Sequence, residues 1–117
     1  MTDLNISSLK TVCEYLDIRF DYCICSEANF SLPPIKHPGQ WALEISSLLK
    51  AKEYLNPIGG QHLFKENEFS ERGIKLLFQE TPVFKYTCNN YKYHSNLSII
   101  DVIMWCSKEK ISTFLFS

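Results

Sequence analysis

Short runs of strand character alternate along this chain with stretches of helical period. That alternation restricts the available folds more than any single residue does. Ile6, Leu9, Val12, Cys13 and Leu16 recur at three- and four-residue spacing and predict a first helix, with Asn5 as its N-cap and Leu16-Asp17-Ile18 as its end. Phe20, Tyr22 and Ile24 alternate with Arg19, Asp21 and Cys23, so residues 19–26 read as a strand. Residues 27–38 contain three prolines and read as a loop. A second helix opens at Pro38 or Gly39, with Trp41, Ile45, Leu48, Leu49 and Lys52 along one stripe. Residues 53–56 form a short strand stopped by Pro57, and Gly59-Gly60 is a turn. Leu63, Phe64 and Phe69 place a short helix up to Arg72, with Gly73 just past its end, and residues 74–79 are a third strand. Residues 80–95 are irregular and aromatic. Asn96 or Ser95 then caps a helix that is apolar almost all round except at Asp101, which predicts burial on more than one side. The apolar tail 111–116 is a fourth strand or a docked end.

Helices alternating with strands imply a parallel sheet joined by crossovers. The expected fold is therefore α/β: a small three-layer Rossmann-like parallel sheet of three or four strands with flanking helices. It is expected to form one domain over residues 1–117, with no second domain. Composition narrows the function classes. The chain is 45% hydrophobic with a net charge of −1, which is unlike a disordered segment. Twelve basic against thirteen acidic residues leave no bulk field to gather nucleic acid. No apolar run approaches the roughly 20 residues of a spanning helix, so no membrane insertion is expected. The five cysteines are an odd number, and Met1–Asn5 is polar and acidic with no secretory pattern. The expectation is a cytoplasmic protein with reduced thiols. Cys23-Ile24-Cys25 reads as small apolar strand residues, and Cys88 with His94 lacks a zinc spacing, so no metal is implied.

In open parallel sheets, ligands bind beyond the carboxyl ends of the strands. The loop from Asn56 to His62 is the most informative of these positions. Gly59 and Gly60 let the backbone approach a phosphate, a carboxylate or a sugar hydroxyl, and the bland alternative is a tight turn. His62 is a candidate general acid or base, against the plainer reading of a surface or packing histidine. Asp101, the one charge in an apolar helix, either satisfies a donor of the fold or faces a pocket. Asn96 and Ser98 stand at that helix's start, where capping is the alternative to ligand binding. The aromatic loop from Phe84 to Tyr93 either stacks on a sugar or base or packs over the sheet.

Two stretches resemble a known family. Tyr54-Leu55-Asn56-Pro57-Ile58-Gly59-Gly60-Gln61-His62-Leu63-Phe64 resembles the Tyr-x-Asn-Pro-x-Gly-Gly-x-x-Leu-Tyr/Phe segment of the WbqC-like family. Asn96-Leu97-Ser98-Ile99-Ile100-Asp101-Val102-Ile103-Met104 resembles its Asn-Leu-Ser-Ile-Ile-Asp-Val-Leu-Met segment. Upstream, Leu9 to Ile18 resembles the family helix before a Leu-Gly-Ile turn, with Asp17 in place of the glycine. The resemblance covers nearly all of this chain and about the C-terminal half of the family. The family's Tyr-Pro-Gln is replaced by Phe84-Lys85-Tyr86-Thr87. Members tend to be encoded with bacterial surface-polysaccharide genes, notably O-antigen genes. The resemblance thus implies a transferase-like role, such as amino-acid (glycine) or acyl transfer to a sugar. An activated sugar or other small-molecule donor would be held, through a phosphate, at Asn56, Gly59 and Gly60. Asn96, Ser98 and Asp101 would orient the acceptor. The alternative is a non-catalytic binding or assembly subunit, or a truncated inactive homologue. A homo-oligomer or a separate chain carrying the N-terminal half would then be its partner.

Overall fold

A computed structural model describes residues 1–117. The chain forms two compact units, residues 23–82 and residues 1–22 with 83–117.

The first is a mixed α/β unit. Its sheet has two strands, β1 (Glu53–Pro57) and β2 (Lys75–Gln79), paired in parallel with Glu53 opposite Lys75 and Pro57 opposite Gln79. A 3-10 helix (Ile58–Leu63) and α3 (Glu66–Glu71) make the crossover between them. The helix preceding β1 is α2 (Pro38–Leu48). It starts where Pro38 takes the first helical position, a place that needs no amide hydrogen. Its buried face is Gly39, Leu43 and Ser46, with Glu44 beside them. Trp41, Leu48 and Leu49 of the expected stripe are exposed. Gly39 decides which face turns inward, because a β-carbon there would lie 2.2 Å from the Leu63 carbonyl oxygen. The bare glycine backbone lets α2 sit directly on the end of the 3-10 helix. The core is Leu43, Phe69 and Ile74, with Ala42, Tyr54, Phe64 and Leu76 packed against it. The Tyr54, Phe64 and Phe69 rings lie 5.6–6.0 Å apart, within the range of favourable aromatic contacts.

Two helix ends in this unit close in the same way. After α3, Gly73 at φ 67 sends its amide to Ser70 O, and Ile74 N reaches Phe69 O. After α2, Lys50 at φ 54 repeats the pattern with Ser47 O, and Ala51 N reaches Ser46 O. These are Schellman caps, which satisfy carbonyls that the helix itself leaves free. Gly73 fills the place expected for it; Lys50 fills the equivalent place with a side chain.

The second unit is helical. α1 (Thr2–Tyr15) starts at Met1, so Asn5 lies inside the helix instead of capping it. A third Schellman cap ends it, with Asp17 at φ 56 and Ile18 N bonded to Cys13 O at 2.8 Å. The left-handed conformation explains why a glycine would suit this position, and Asp17 holds it with its carboxylate paired to Lys108. α4 (Ile99–Trp105) and α5 (Lys108–Leu115) are capped by the Ser98 and Ser107 side chains. Leu16, Cys106 and Ile111 form the core, joined by Val12, Ile18, Phe84, Tyr86, Val102, Ile103 and Trp105.

Four further expectations are corrected. The sheet has two strands, not three or four. Residues 19–26 lie outside any strand, because no neighbouring strand pairs with them; Phe20 and Tyr22 stack on each other at 5.2 Å. The tail 111–116 falls in or just past α5, where Ile111 supplies the buried face. α4 was expected to be enclosed, yet it contains no buried residue, and Ile100 and Met104 are 63% and 78% exposed. No helix is long and apolar enough to cross a membrane.

Candidate functional site

The carboxyl ends of β1 and β2 border a cleft of about 300 Å³. It is lined by Leu55, Asn56, Pro57, Gln79, Glu80, Thr81 and Pro82. This is where a parallel sheet normally offers a ligand site, since strand-end amides and side chains converge there. Asn56 is the fixed group. Its Oδ1 accepts from the Tyr54 hydroxyl at 3.2 Å, and its Nδ2 donates to Pro57 O at 2.9 Å. Burial pushes the Tyr54 phenol up, so the hydroxyl stays protonated and remains a donor.

Gly60 has a mechanical role in this arrangement. A β-carbon there would stand 2.5 Å from Asn56 Nδ2 and 3.6 Å from Phe64, so the glycine leaves room for the asparagine amide. Gly59 meets nothing within 4 Å. Both glycines lie in the 3-10 helix, so the segment expected as a simple turn is helical. His62 sits in the same helix, exposed, and its ring forms no hydrogen bond.

A larger cleft of about 520 Å³ lies between the start of α2 and α3, with Lys36, His37, Gln40, Glu44, Lys65, Glu68, Glu71 and Arg72 on its walls. Glu44 is 5% exposed and is gripped by both terminal nitrogens of Arg72, at 2.8 and 2.9 Å. Those hydrogen bonds outweigh burial and hold the Glu44 carboxyl below its ordinary range. Across the cleft, His37 Nε2 lies 2.8 Å from Glu68 Oε2, and Lys65 reaches Glu68 Oε1 at 3.3 Å. Burial works against the ionised form of Glu68, and the Lys65 and His37 hydrogen bonds nevertheless keep it below the usual carboxylate range. Sequence reasoning gave His37 no role. The signal available was the pairing of His37 with the first turn of α3, 31 residues away, which only the fold reveals.

In the helical unit, Asp101 accepts a short hydrogen bond from the Tyr86 hydroxyl. That bond to a carboxylate, with burial, drives the Tyr86 phenol far above its ordinary range. Tyr93 meets Tyr86 edge-on at 5.2 Å and donates to Phe84 O. The aromatic loop thus packs on itself and on the core. The Ser98 hydroxyl accepts from Ile100 N as the cap of α4, and Asn96 occupies the left-handed region at φ 59. Burial also raises the Cys88 thiol. Cys106 is buried, Cys13 is half-buried, and Cys23 and Cys25 are exposed. No group of three or more His, Cys, Asp or Glu side chains is arranged to hold a metal ion.

The model of the WbqC-like protein family matches residues 1–113, nearly the whole chain. The chain belongs to this family. The match takes in the whole sheet unit with Asn56 and all but the last four residues of the helical unit with Asp101, so both are parts of one WbqC-like chain. No curated protein and no solved structure matches it.

Proposed function

We propose that this WbqC-like chain is a transferase-like protein of bacterial surface-polysaccharide biosynthesis, and that the strand-end cleft holds the sugar of a nucleotide-sugar that accepts the transferred group from a separate activated acyl donor. The observation that carries this reading is Asn56, a side-chain amide locked between Tyr54 and Pro57 at the mouth of the cleft. Around it stand Gln79, Glu80 and Thr81, which can exchange hydrogen bonds with hydroxyls, and Leu55, Pro57 and Pro82, which suit the apolar face of a sugar ring. Glu80 is the only charged side chain in the lining, a composition that favours sugar hydroxyls over a phosphate. The transferred group would be an amino acid or another acyl group. In the larger cleft, the His37–Glu68 pair has an imidazole oriented by a carboxylate, which His62 lacks.

The test is thermal unfolding of the full chain with nucleotide-sugars, nucleotides and aminoacyl-adenylate analogues. A ligand at about 100 times its dissociation constant adds roughly 2.7 kcal/mol of apparent stability. A nucleotide-sugar is expected to shift the transition, and Asn56→Ala to abolish the shift while Asn67→Ala, on the exposed side of α3, retains it. The reading fails if no nucleotide-sugar shifts the transition, or if the shift survives Asn56→Ala.

A further inference from the structure

A two-stranded parallel sheet has two open edges, and here the two differ. Lys75 N donates to Lys52 O at 2.8 Å, so Lys75, Leu77 and Gln79 turn their backbone groups toward β1. By the alternation of a strand, Leu76 and Phe78 turn theirs to the opposite side, where no backbone hydrogen bond reaches them. The matching positions on the free edge of β1 are Glu53, Leu55 and Pro57. Pro57 has no amide hydrogen, and Glu53 brings a charge; both discourage strand pairing. The free edge of β2 has neither device across Leu76-Leu77-Phe78, and parallel sheets are normally covered rather than left open.

We infer that the free edge of β2 is a self-association surface and that its occupant is a second copy of this chain, paired antiparallel about a two-fold axis at Leu77. The pattern of β2 is self-complementary about that residue. Leu76 of one copy faces Phe78 of the other, and each of these two pairs exchanges two backbone hydrogen bonds, which satisfies all the outward groups at once. Lys75 meets the second copy's Gln79 with that copy's Glu80 next in the chain, so the ends of the pairing are matched in charge. Leu77 shares a sheet face with Leu55, which is 57% exposed. Pairing brings Leu55 and Leu77 of both copies into one apolar strip across a four-stranded sheet. Five residues of edge bury less than a standard interface, so the dimer is weak, with a dissociation constant on the order of 100 µM.

Sedimentation equilibrium of the full chain from roughly 5 µM to about 1 mM decides this, with the weight-average mass expected to rise from about 1.1 to about 1.8 times that of the monomer. Hydrogen exchange on the same samples is expected to show the Leu76 and Phe78 amides gaining protection as concentration rises. Leu77→Lys sets two like charges face to face on the axis and is expected to weaken association at least about tenfold. Mixing the Leu77→Lys chain with a Leu77→Glu chain restores it. A chain that stays monomeric throughout, a dimer indifferent to Leu77→Lys, or a mixture that fails to associate overturns the inference. Should the Leu77 variants not fold, the concentration dependence of the two amides in the unaltered chain settles it alone. None of these readouts depends on sugar binding at Asn56.

Discussion

Gly39→Ala is expected to be the most damaging of the four possible glycine-to-alanine changes, against the usual preference of a helix for alanine. An alanine within a helix is ordinarily worth about 1 kcal/mol over glycine. Here the new β-carbon would stand 2.2 Å from the Leu63 carbonyl oxygen, 3.0 Å from its carbon and 3.2 Å from Phe64 Cα. All three are backbone atoms, so no side chain can turn aside. Either α2 lifts from the 3-10 helix by about an ångström, or Leu63-Phe64 moves and disturbs the ring cluster around Phe69. Overpacking of this kind costs about 1–3 kcal/mol, and more where the backbone cannot yield. After the helical gain, a net loss of about 2 kcal/mol is expected, a fall in Tm of roughly 10 °C for a chain of this size. Gly59→Ala is the control, since its β-carbon meets nothing and its effect should lie within about 1 kcal/mol of zero. Chemical denaturation of the two variants with an unchanged m-value gives the comparison directly. A Gly39→Ala chain as stable as the parent would refute the packing argument and the choice of buried face that depends on it.

The remaining predictions concern charge and backbone. Glu44 has a depressed carboxyl pKa, so its contribution is complete above the unfolded value of about 4.3 and is lost as pH falls through the lower folded value. Glu44→Gln should therefore cost about 1–2 kcal/mol near neutral pH, discounted because Arg72 is 44% exposed, and the difference from the parent should shrink in acid. Lys50→Gly should stabilise by about 0.5 kcal/mol, because the left-handed cap strains a side chain, whereas Gly73→Ala at the equivalent cap should destabilise; urea midpoints moving the other way would refute this. Asp101→Asn should bring the Tyr86 phenol back toward its ordinary range in a spectrophotometric titration; an unchanged titration would remove Asp101 as the cause.

The sequence was most legible where local chemistry and tertiary structure agree. Glu53–Asn56 and Ile74–Gln79 are flanked by Pro57 and Gly73, and both strands lie within a residue of the expected bounds. The second helix opens at Pro38 as expected. The errors arise where a contact distant in sequence overrides local pattern. Alternation across residues 19–26 resembles a strand, but a strand needs a neighbour to complete its hydrogen bonds, and none is present. The stripe from Trp41 to Lys52 is a fair helical face, yet Gly39 and the Arg72 grip on Glu44 turn a different face inward. At the candidate site, the place of Asn56 near a strand end was legible. His37 was not, because its partner Glu68 lies on another helix and neither residue type marks a site alone.

The segment from Tyr54 to Phe64 is built for mechanics around the Asn56 side chain, and the glycine within it allows a decisive test. Gly60→Ala would force its β-carbon against Asn56 Nδ2, the movable end of a side chain, so the amide should turn away while the backbone stays. It would then lose the bonds to Pro57 O and the Tyr54 hydroxyl, each worth about 0.5–1.5 kcal/mol, partly offset by the roughly 0.4–1 kcal/mol alanine brings by restricting the unfolded chain. The net loss should be no more than about 1–2 kcal/mol. Asn56→Ala removes the same hydrogen bonds and also removes the obstacle, so the double variant should be more stable than the sum of the single effects by about 1 kcal/mol. Denaturant melts of the four chains in this cycle measure that coupling. Additive effects would mean that Gly60 acts without Asn56, and the glycine would then have to be explained by something that approaches its backbone directly. A positive coupling would make Gly60 the residue that keeps the Asn56 amide aimed at the ends of β1 and β2.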